Sequence, residues 1–450
     1  MKKMSILLGI LFFLGSLASI VKAGEVLTLN ESIKIALDKS LSVHSAKEEV
    51  KRKEFERRSA RTDFFPKLST SYSYTRIDKD TIHDAKYITY PYNPLTDSHL
   101  PKQVSPLDQD TFDLNLTAIQ PLFTGWSLTT AHKLASLGVD IAKIQKESVI
   151  QNLVLNVKTA YFGILKADNL EDVARQAVEQ LEAHLKVSQA FYDEGVISKN
   201  KLLETEVWLA QARQNLIRAT RSAEIVRSRF NNLLRRGLDQ RVEIEDILDY
   251  HPITLTLSQC MERAELNRPE VKEASLSIAS AEKAVKLGRS SYYPSINLIG
   301  NYERKTDEAN LDPDPGEDPD NWTVTAEARW TFWEWGKTHY NVSAAKVNVV
   351  KAKDLLMEIK DGINLEVKDA YLYLREAEKN IQVAKTAVAQ AQENFRMNEE
   401  MYKQQVATST DVLDAQTLLT QAQTNHFNAL SEYNIAVARL ERAMGEDMQK

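Results

Sequence analysis

Residues Trp322–Trp330 read WTVTAEARW, with apolar Trp322, Val324, Ala326, Ala328 and Trp330 alternating with Thr323, Thr325, Glu327 and Arg329. A period of two predicts a strand with one apolar and one polar face. FDLNLTAI sets Phe112, Leu114, Leu116 and Ala118 against Asp113, Asn115 and Thr117, LSTSYSYT sets Leu68, Thr70, Tyr72 and Tyr74 against serines, and SINLIGNY is the weakest case. The expected strands are about 67–76, 111–120, 295–303 and 322–331. Their alternation suits a membrane barrel wall, whose strands run about 9–11 residues, and equally a water-soluble sheet with one solvated face.

The rest of the chain follows a helical period. No proline lies between Pro121 and Pro252, nor after Pro319, so long uninterrupted helices are permitted. From Leu356 through Ile363, Val367, Leu374 and Ile381 to Phe395, apolar residues step by three and four, as in a coiled-coil seam. Val149 to Leu185 repeats the pattern with one break, Glu171; Leu202–Phe230 and Val412–Leu440 keep the same rhythm on returning helices. A helix from Ser127 to about Phe191 would be on the order of 100 Å long. Shorter helices, about Asn30 to Phe65 and Lys201 to Arg236, sum to a similar length, so the expected object is a rod.

The opening MKKMSILLGILFFLGSLASIVKA has basic Lys2 and Lys3, an apolar Ile6–Leu14 and a small-residue end at Val21-Lys22-Ala23. This is the pattern of a signal peptide over 1–23, with a mature start at Gly24. No cysteine follows the cleavage site, and the single Cys260 reads as a buried bystander. Beyond the leader no run of about 18 apolar residues exists. With Lys and Arg at 57 against Asp and Glu at 63, the net charge of −6 gives no basic excess for nucleic acid. Export without a transmembrane helix, together with proline-bounded strands, favours the barrel. Four strands cannot close one, since about eight is the practical minimum, and lipid does not tolerate an open edge. Several chains must therefore share it.

Internal repeats are plain. LTLNESIKIALDKSLSV at Leu27 resembles LTLSQCMERAELNRPEV at Leu255, and FFPKLSTSYSY at Phe64 resembles YYPSINLIGNY at Tyr292, both at an offset of 228. PLFTGW at Pro121 meets TFWEWG at Thr331, and VKTAYFGILKAD at Val157 meets VKDAYLYLREAE at Val367, at an offset of 210. The shift falls where the halves have loops of different length. The expected organisation is a first repeat over 24–237, a linker over 238–254 and a second repeat over 255–450.

With FFPKLS, YYPSIN, QPLFTGW and above all VATSTDVLDAQ in this duplicated order, the chain resembles the TolC-like bacterial outer membrane efflux proteins over its mature length. The resemblance implies a mainly α fold with membrane β. Three chains, each giving four strands, would form a homotrimer with a 12-stranded outer-membrane barrel, continuous with a long coiled-coil tunnel through the periplasm. The implied partners are a periplasmic adaptor (membrane fusion protein) and an inner-membrane pump of the proton-driven RND or ATP-driven ABC type. The role would be a passive exit duct for efflux or type I secretion.

The helix turns Glu194–Asn200 and Gln404–Thr410 would then form the periplasmic mouth. Asp411 and Asp414 match the family's pore-facing aspartate pair, and their spacing of three places both on one helix face. Thr408-Ser409-Thr410-Asp411 also fits a capping box, and the two roles can coexist. Tyr402 matches a tyrosine that holds the mouth closed in the family, but Ala407 stands where an arginine would be. Lys201 and Glu204 occupy the equivalents of Asp411 and Asp414 in the first hairpin, where Lys201 would soften an acidic mouth. The small or apolar tip residues Gly195, Val196, Ile197 and Ser198, with Val406, Ala407 and Thr408, read as adaptor-docking positions.

Other chemistry is not visible. The acidic, proline-rich Asp307–Asp320 reads as a solvated loop, and no histidine or cysteine spacing fits a zinc site. No phosphate loop or nucleophile elbow occurs, so neither a cofactor nor an enzyme is expected. A secreted coiled coil would not need four alternating strands, and a periplasmic adaptor would carry a single hairpin.

Overall fold

The computed structural model describes residues 26–78, 109–312 and 318–446; the expected signal peptide and part of the acidic loop lie outside these. The described elements are α1 (Leu29–Lys39), α2 (Leu41–Thr62), β1 (Lys67–Arg76), β2 (Asp110–Thr124), α3 (Ser127–Asp193), α4 (Lys199–Leu233), α5 (Leu257–Asn267), α6 (Pro269–Arg289), β3 (Ser295–Thr306), β4 (Asp320–Arg329), α7 (Lys337–Lys403) and α8 (Ser409–Met444). Two compact units draw on both sequence halves: Met1–Ser40, Leu153–Ile253 and Tyr373–Ala438 in one, Leu41–Asn152, Thr254–Leu372 and Arg439–Lys450 in the other.

In the second unit the four strands form one antiparallel sheet in the order β1-β2-β3-β4. Register sorts the side chains. Leu68, Ala118, Gly300 and Val324 lie in one row, and Thr70, Leu116, Tyr302 and Trp322 in the next on the same face. Ser69, Thr117, Asn301 and Thr323 form a row on the opposite face, followed by Ser71, Asn115, Glu303 and Asn321. The apolar face is bare: Leu68 is 80% exposed and Trp322 74%. β2 and β3 run longer than the alternation indicates, because β2 continues through Pro121 at a register shift between Pro121 and Phe123. A bulge is where an inner strand tolerates a proline.

At the helix-side edge of the sheet, aromatics crowd together. Trp126 meets Phe123 and Tyr293 edge-on at 5.1 and 4.9 Å, Trp330 Nε1 donates to the Tyr292 carbonyl at 3.2 Å, and Trp333 lies 5.7 Å from Trp335. Phe332, Trp333 and Trp335 are largely exposed. Trp330, expected within a strand, belongs to this collar instead, since β4 ends at Arg329.

The first helix is not continuous from Asn30 to Phe65 as its pattern suggested. Ser40 adopts an extended conformation (φ −66°, ψ 127°) between α1 and α2. Arg268, which lies 228 residues later, does the same (φ −57°, ψ 123°) between α5 and α6, where Pro269 opens the next helix. α1 and α5 begin with capping boxes 228 residues apart, Thr28 with Glu31 and Thr256 with Gln259. In the second unit the buried Arg268 holds Glu366 with two nitrogens at 2.9 and 2.8 Å and Glu270 at 2.9 Å, and Arg442 grips Glu270 at 2.7 Å. Such forked, charge-assisted bonds fix orientation as well as distance.

The helical unit is built on the expected seams. Leu374, Ala377 and Ile381 are buried along α7, as are Val157, Ile164, Val178 and Leu181 along α3. Glu171, the break in the α3 seam, is only partly buried and is met by Thr220 Oγ1 at 3.0 Å and Arg227 at 3.6 Å. The segment after α4 is strapped down. Leu27 donates to the Glu243 carbonyl at 2.8 Å, the Tyr161 hydroxyl donates to the Leu27 and Glu245 carbonyls at 3.0 and 2.8 Å, and Asn434 donates to the Asp249 carbonyl at 3.1 Å.

The duplication reaches the backbone. Among the described residues, left-handed conformations occur at 125 and 335, 126 and 336, 195 and 405, and 235 and 445, each pair separated by 210; Leu311 alone has no counterpart. Each pair contains one glycine: Gly125 with Trp335, Trp126 with Gly336, Gly195 with Gln405, and Arg235 with Gly445. A side chain in this region costs on the order of 1 kcal/mol. Gln405→Gly is therefore expected to stabilise the folded protein by roughly 0.5–1 kcal/mol, read as a raised denaturant midpoint. Gly125→Ala should be far worse than Gly195→Ala, because a Cβ at 125 would lie 2.5 Å from the Ser290 carbonyl oxygen while the tip glycine has open space.

Candidate functional site

Both hairpin ends are built the same way. The last turn of α3 closes with Gly195 N donating to the Tyr192 carbonyl at 2.9 Å and Val196 N to that of Phe191 at 2.7 Å. The last turn of α7 closes with Gln405 N donating to Tyr402 and Val406 N to Met401, both at 2.9 Å. These bonds satisfy carbonyls that a helix terminus leaves free. What protrudes is small and apolar: Val196 is 44% exposed and Val406 69%, with Ile197 and Ala407 half-buried beside them.

The restarting helices differ. Thr408 caps α8: its backbone N–H and hydroxyl each donate to Asp411 Oδ2 at 2.7 Å, and Asp411 N donates to Thr408 Oγ1 at 3.3 Å. The Thr408 hydroxyl, then its backbone N–H, hold the Asp411 carboxyl below its ordinary range, so it stays ionised. Asp414 is exposed one turn on and has no hydrogen bond or ion pair among the described residues. Ser198, the equivalent of Thr408, makes no side-chain cap. There Lys201 Nζ donates to Glu204 at 2.8 Å and crosses to Thr410 Oγ1 of the other hairpin at 3.0 Å.

Deeper in, the hairpins are clasped by a polar network that the periodicity did not reveal. His184 Nε2 on α3 lies 2.8 Å from Ser409 Oγ at the start of α8, and Ser409 Oγ lies 3.2 Å from Thr205 Oγ1 on α4. Tyr402 is buried: its hydroxyl is 3.0 Å from Ser188 Oγ, and its ring lies 4.8 Å from His184 and 5.3 Å from Phe191. The network thus joins Tyr402 to α3, while Lys201 ties the hairpins from outside. His184 and Ser188 follow Leu181 at three and seven residues, the core-facing interval, and that spacing was the available signal. Among the described residues no group of His, Cys, Asp and Glu could hold a metal.

Burial pushes the His184 imidazole down from 6.5 to about 4, so it is neutral in the closed tip. Between these values an opened tip takes up a proton that the closed one refuses, so tip stability is full above about 6.5 and falls as pH drops toward 4. The opening equilibrium should rise by up to about tenfold per pH unit in that window. Hydrogen exchange at the N-terminus of α8, corrected for intrinsic rates, is expected to show this in the wild type and not in His184→Gln.

Residues 32–234 and 260–446 match the sequence profile of the family described as outer membrane efflux protein. The outer membrane protein TolC of Vibrio cholerae serotype O1 is 25% identical over 355 residues, covering 76% of this chain and 78% of that protein. The solved outer membrane protein VceC of Vibrio cholerae superposes with a TM-score of 0.74 at 17% identity, covering 93% of this chain and 96% of that one. The open state of the Neisseria gonorrhoeae outer membrane channel MtrE gives 0.74 at 18% identity, covering 93% and 89%. No helix among the described residues is long and apolar enough to cross a membrane.

Proposed function

Since the chain belongs to the outer membrane efflux protein family and is an outer-membrane efflux channel, we propose that it works as a homotrimeric exit duct, with three sheets closed into one 12-stranded barrel. The observation that carries this is the sheet itself. Its faces are segregated into apolar and polar rows, its apolar face is bare, and the outer edges of β1 and β4 have no neighbour within the described chain. An edge of unpaired N–H and C=O groups cannot stand in lipid. Pairing β1 of one copy with β4 of the next removes every edge. Cross-linking of detergent-extracted protein should give three chains; a well-behaved soluble monomer would overturn the proposal.

The hairpin ends form the periplasmic mouth in this reading. The protruding Val196 and Val406 are docking points for a periplasmic adaptor, which connects the duct to an inner-membrane RND or ABC pump that supplies the energy. Passage through the duct is passive. Val196→Glu or Val406→Glu is expected to abolish export while leaving the trimer intact.

Asp411 and Asp414 of three chains place six carboxylates around the axis. Packed carboxylates attract cations and hold multivalent ones, as acidic rings do in cation channels. Asp411 serves as cap and as charge together. Asp411→Ala combined with Asp414→Ala should lower cation preference and relieve multivalent-cation block in planar bilayers. Unchanged selectivity and block in an assembled trimer would leave Asp411 only its cap.

A further inference from the structure

The segments that flank the aromatic collar carry an unbalanced positive charge. Residues 56–67, 125–133, 283–294 and 329–343 hold ten Lys and Arg against three acids, in a chain whose net charge is −6. Arg57, Arg61, Lys286 and Arg289 have no ion pair among the described residues, and Arg58 lies over the Phe55 ring at 5.7 Å. Lys67 lies 3.1 Å from Asp63 and Arg329 3.2 Å from Glu327, and at the far edge of the sheet Arg76 lies 3.7 Å from Asp110 and Arg304 3.4 Å from Asp320.

Helix ends account for only part of the collar charge. The C-termini of α2 and α6 favour cations such as Arg61 and Arg289. Lys337, however, is the first residue of α7, where the helix dipole repels a cation, and neither α3 nor α7 has an acid in its first turn. The acid nearest Lys337 is Glu334 at 3.9 Å, an exposed pair of little worth. Exposed aromatic rings of this kind sit at headgroup depth in membrane proteins, and cations just beyond them meet phosphate.

We propose that these flanking segments bind anionic phospholipid headgroups of the leaflet nearest the helices, and thereby fix the depth of the sheet in the bilayer. The proposal rests on the reading that the apolar face meets lipid. Each well-placed cation would strengthen association with anionic over zwitterionic lipid by up to roughly fivefold, less at high salt.

The collar supplies its own reporters, Trp126, Trp330, Trp333 and Trp335. The full-length protein would be reconstituted in phosphatidylcholine vesicles containing brominated phosphatidylglycerol or, separately, brominated phosphatidylcholine. Brominated phosphatidylglycerol should quench tryptophan fluorescence at several-fold lower mole fraction, with the difference shrinking as salt rises. Replacing Arg57, Arg58, Arg61 and Arg289 with glutamine should remove the difference, and replacing them with lysine should keep it. Equal quenching by both lipids in the wild type, or a preference retained in the glutamine variant, would overturn the proposal. Absence of quenching by either lipid would instead sink the underlying membrane reading. If the glutamine variant fails to assemble, the wild-type lipid comparison, its salt titration and the lysine variant still decide.

Discussion

Every peptide group entering hydrocarbon must bring its hydrogen-bond partner with it. A helix meets that demand alone; a four-stranded sheet does not. Here each strand pairs with its neighbours, which among the described residues leaves the outer edges of β1 and β4 for another chain. In the proposed assembly, symmetry follows from this deficit. The segregation of rows follows from it too: a closed wall needs an apolar outside and tolerates Ser69, Thr117, Asn301 and Thr323 only within.

The backbone preserves the duplication more faithfully than the side chains. α3 and α7 have 67 residues each, and the left-handed turns before and after them recur at one offset. Yet glycine occupies only one member of each pair. The geometry is set by what the turn must do, whereas the residue is set by local crowding. At 125, the Ser290 carbonyl leaves no room for a Cβ, while at the equivalent position Trp335 projects outward as part of the collar. In the proposed assembly the cost of a strained tryptophan would be offset where its ring meets the membrane interface.

Periodicity made the strands and seams legible, because burial of one face is what periodicity records. The capping box at Thr408 was legible for a local reason: its donors and acceptors lie within four residues. The break at Ser40 was not. Neither of its neighbours is a proline, and the reason for the break appears only through its counterpart at Arg268, before Pro269. The clasp at His184 was hidden differently. Its partner Ser409 lies 225 residues away in the chain, and Ser409's other partner, Thr205, lies 204 residues from Ser409. No local pattern encodes such a pairing, and a histidine within an apolar seam looks like a defect until its partner is known.

The two aspartates at the hairpin end illustrate how one residue can serve structure and charge together. Bringing carboxylates of three chains toward one axis opposes their ionisation. In the proposed mouth Asp411 would resist this because both the hydroxyl and the backbone N–H of Thr408 donate to its charged form, and α8 begins there with its positive dipole end. The cap therefore secures a fixed negative charge. Its Oδ2 is already engaged by these donors, which limits how freely that carboxylate can turn to an ion. Asp414, one turn on and without such bonds among the described residues, keeps that freedom. In the proposed mouth the first aspartate would maintain the field, and the second would rearrange around whatever cation the field attracts.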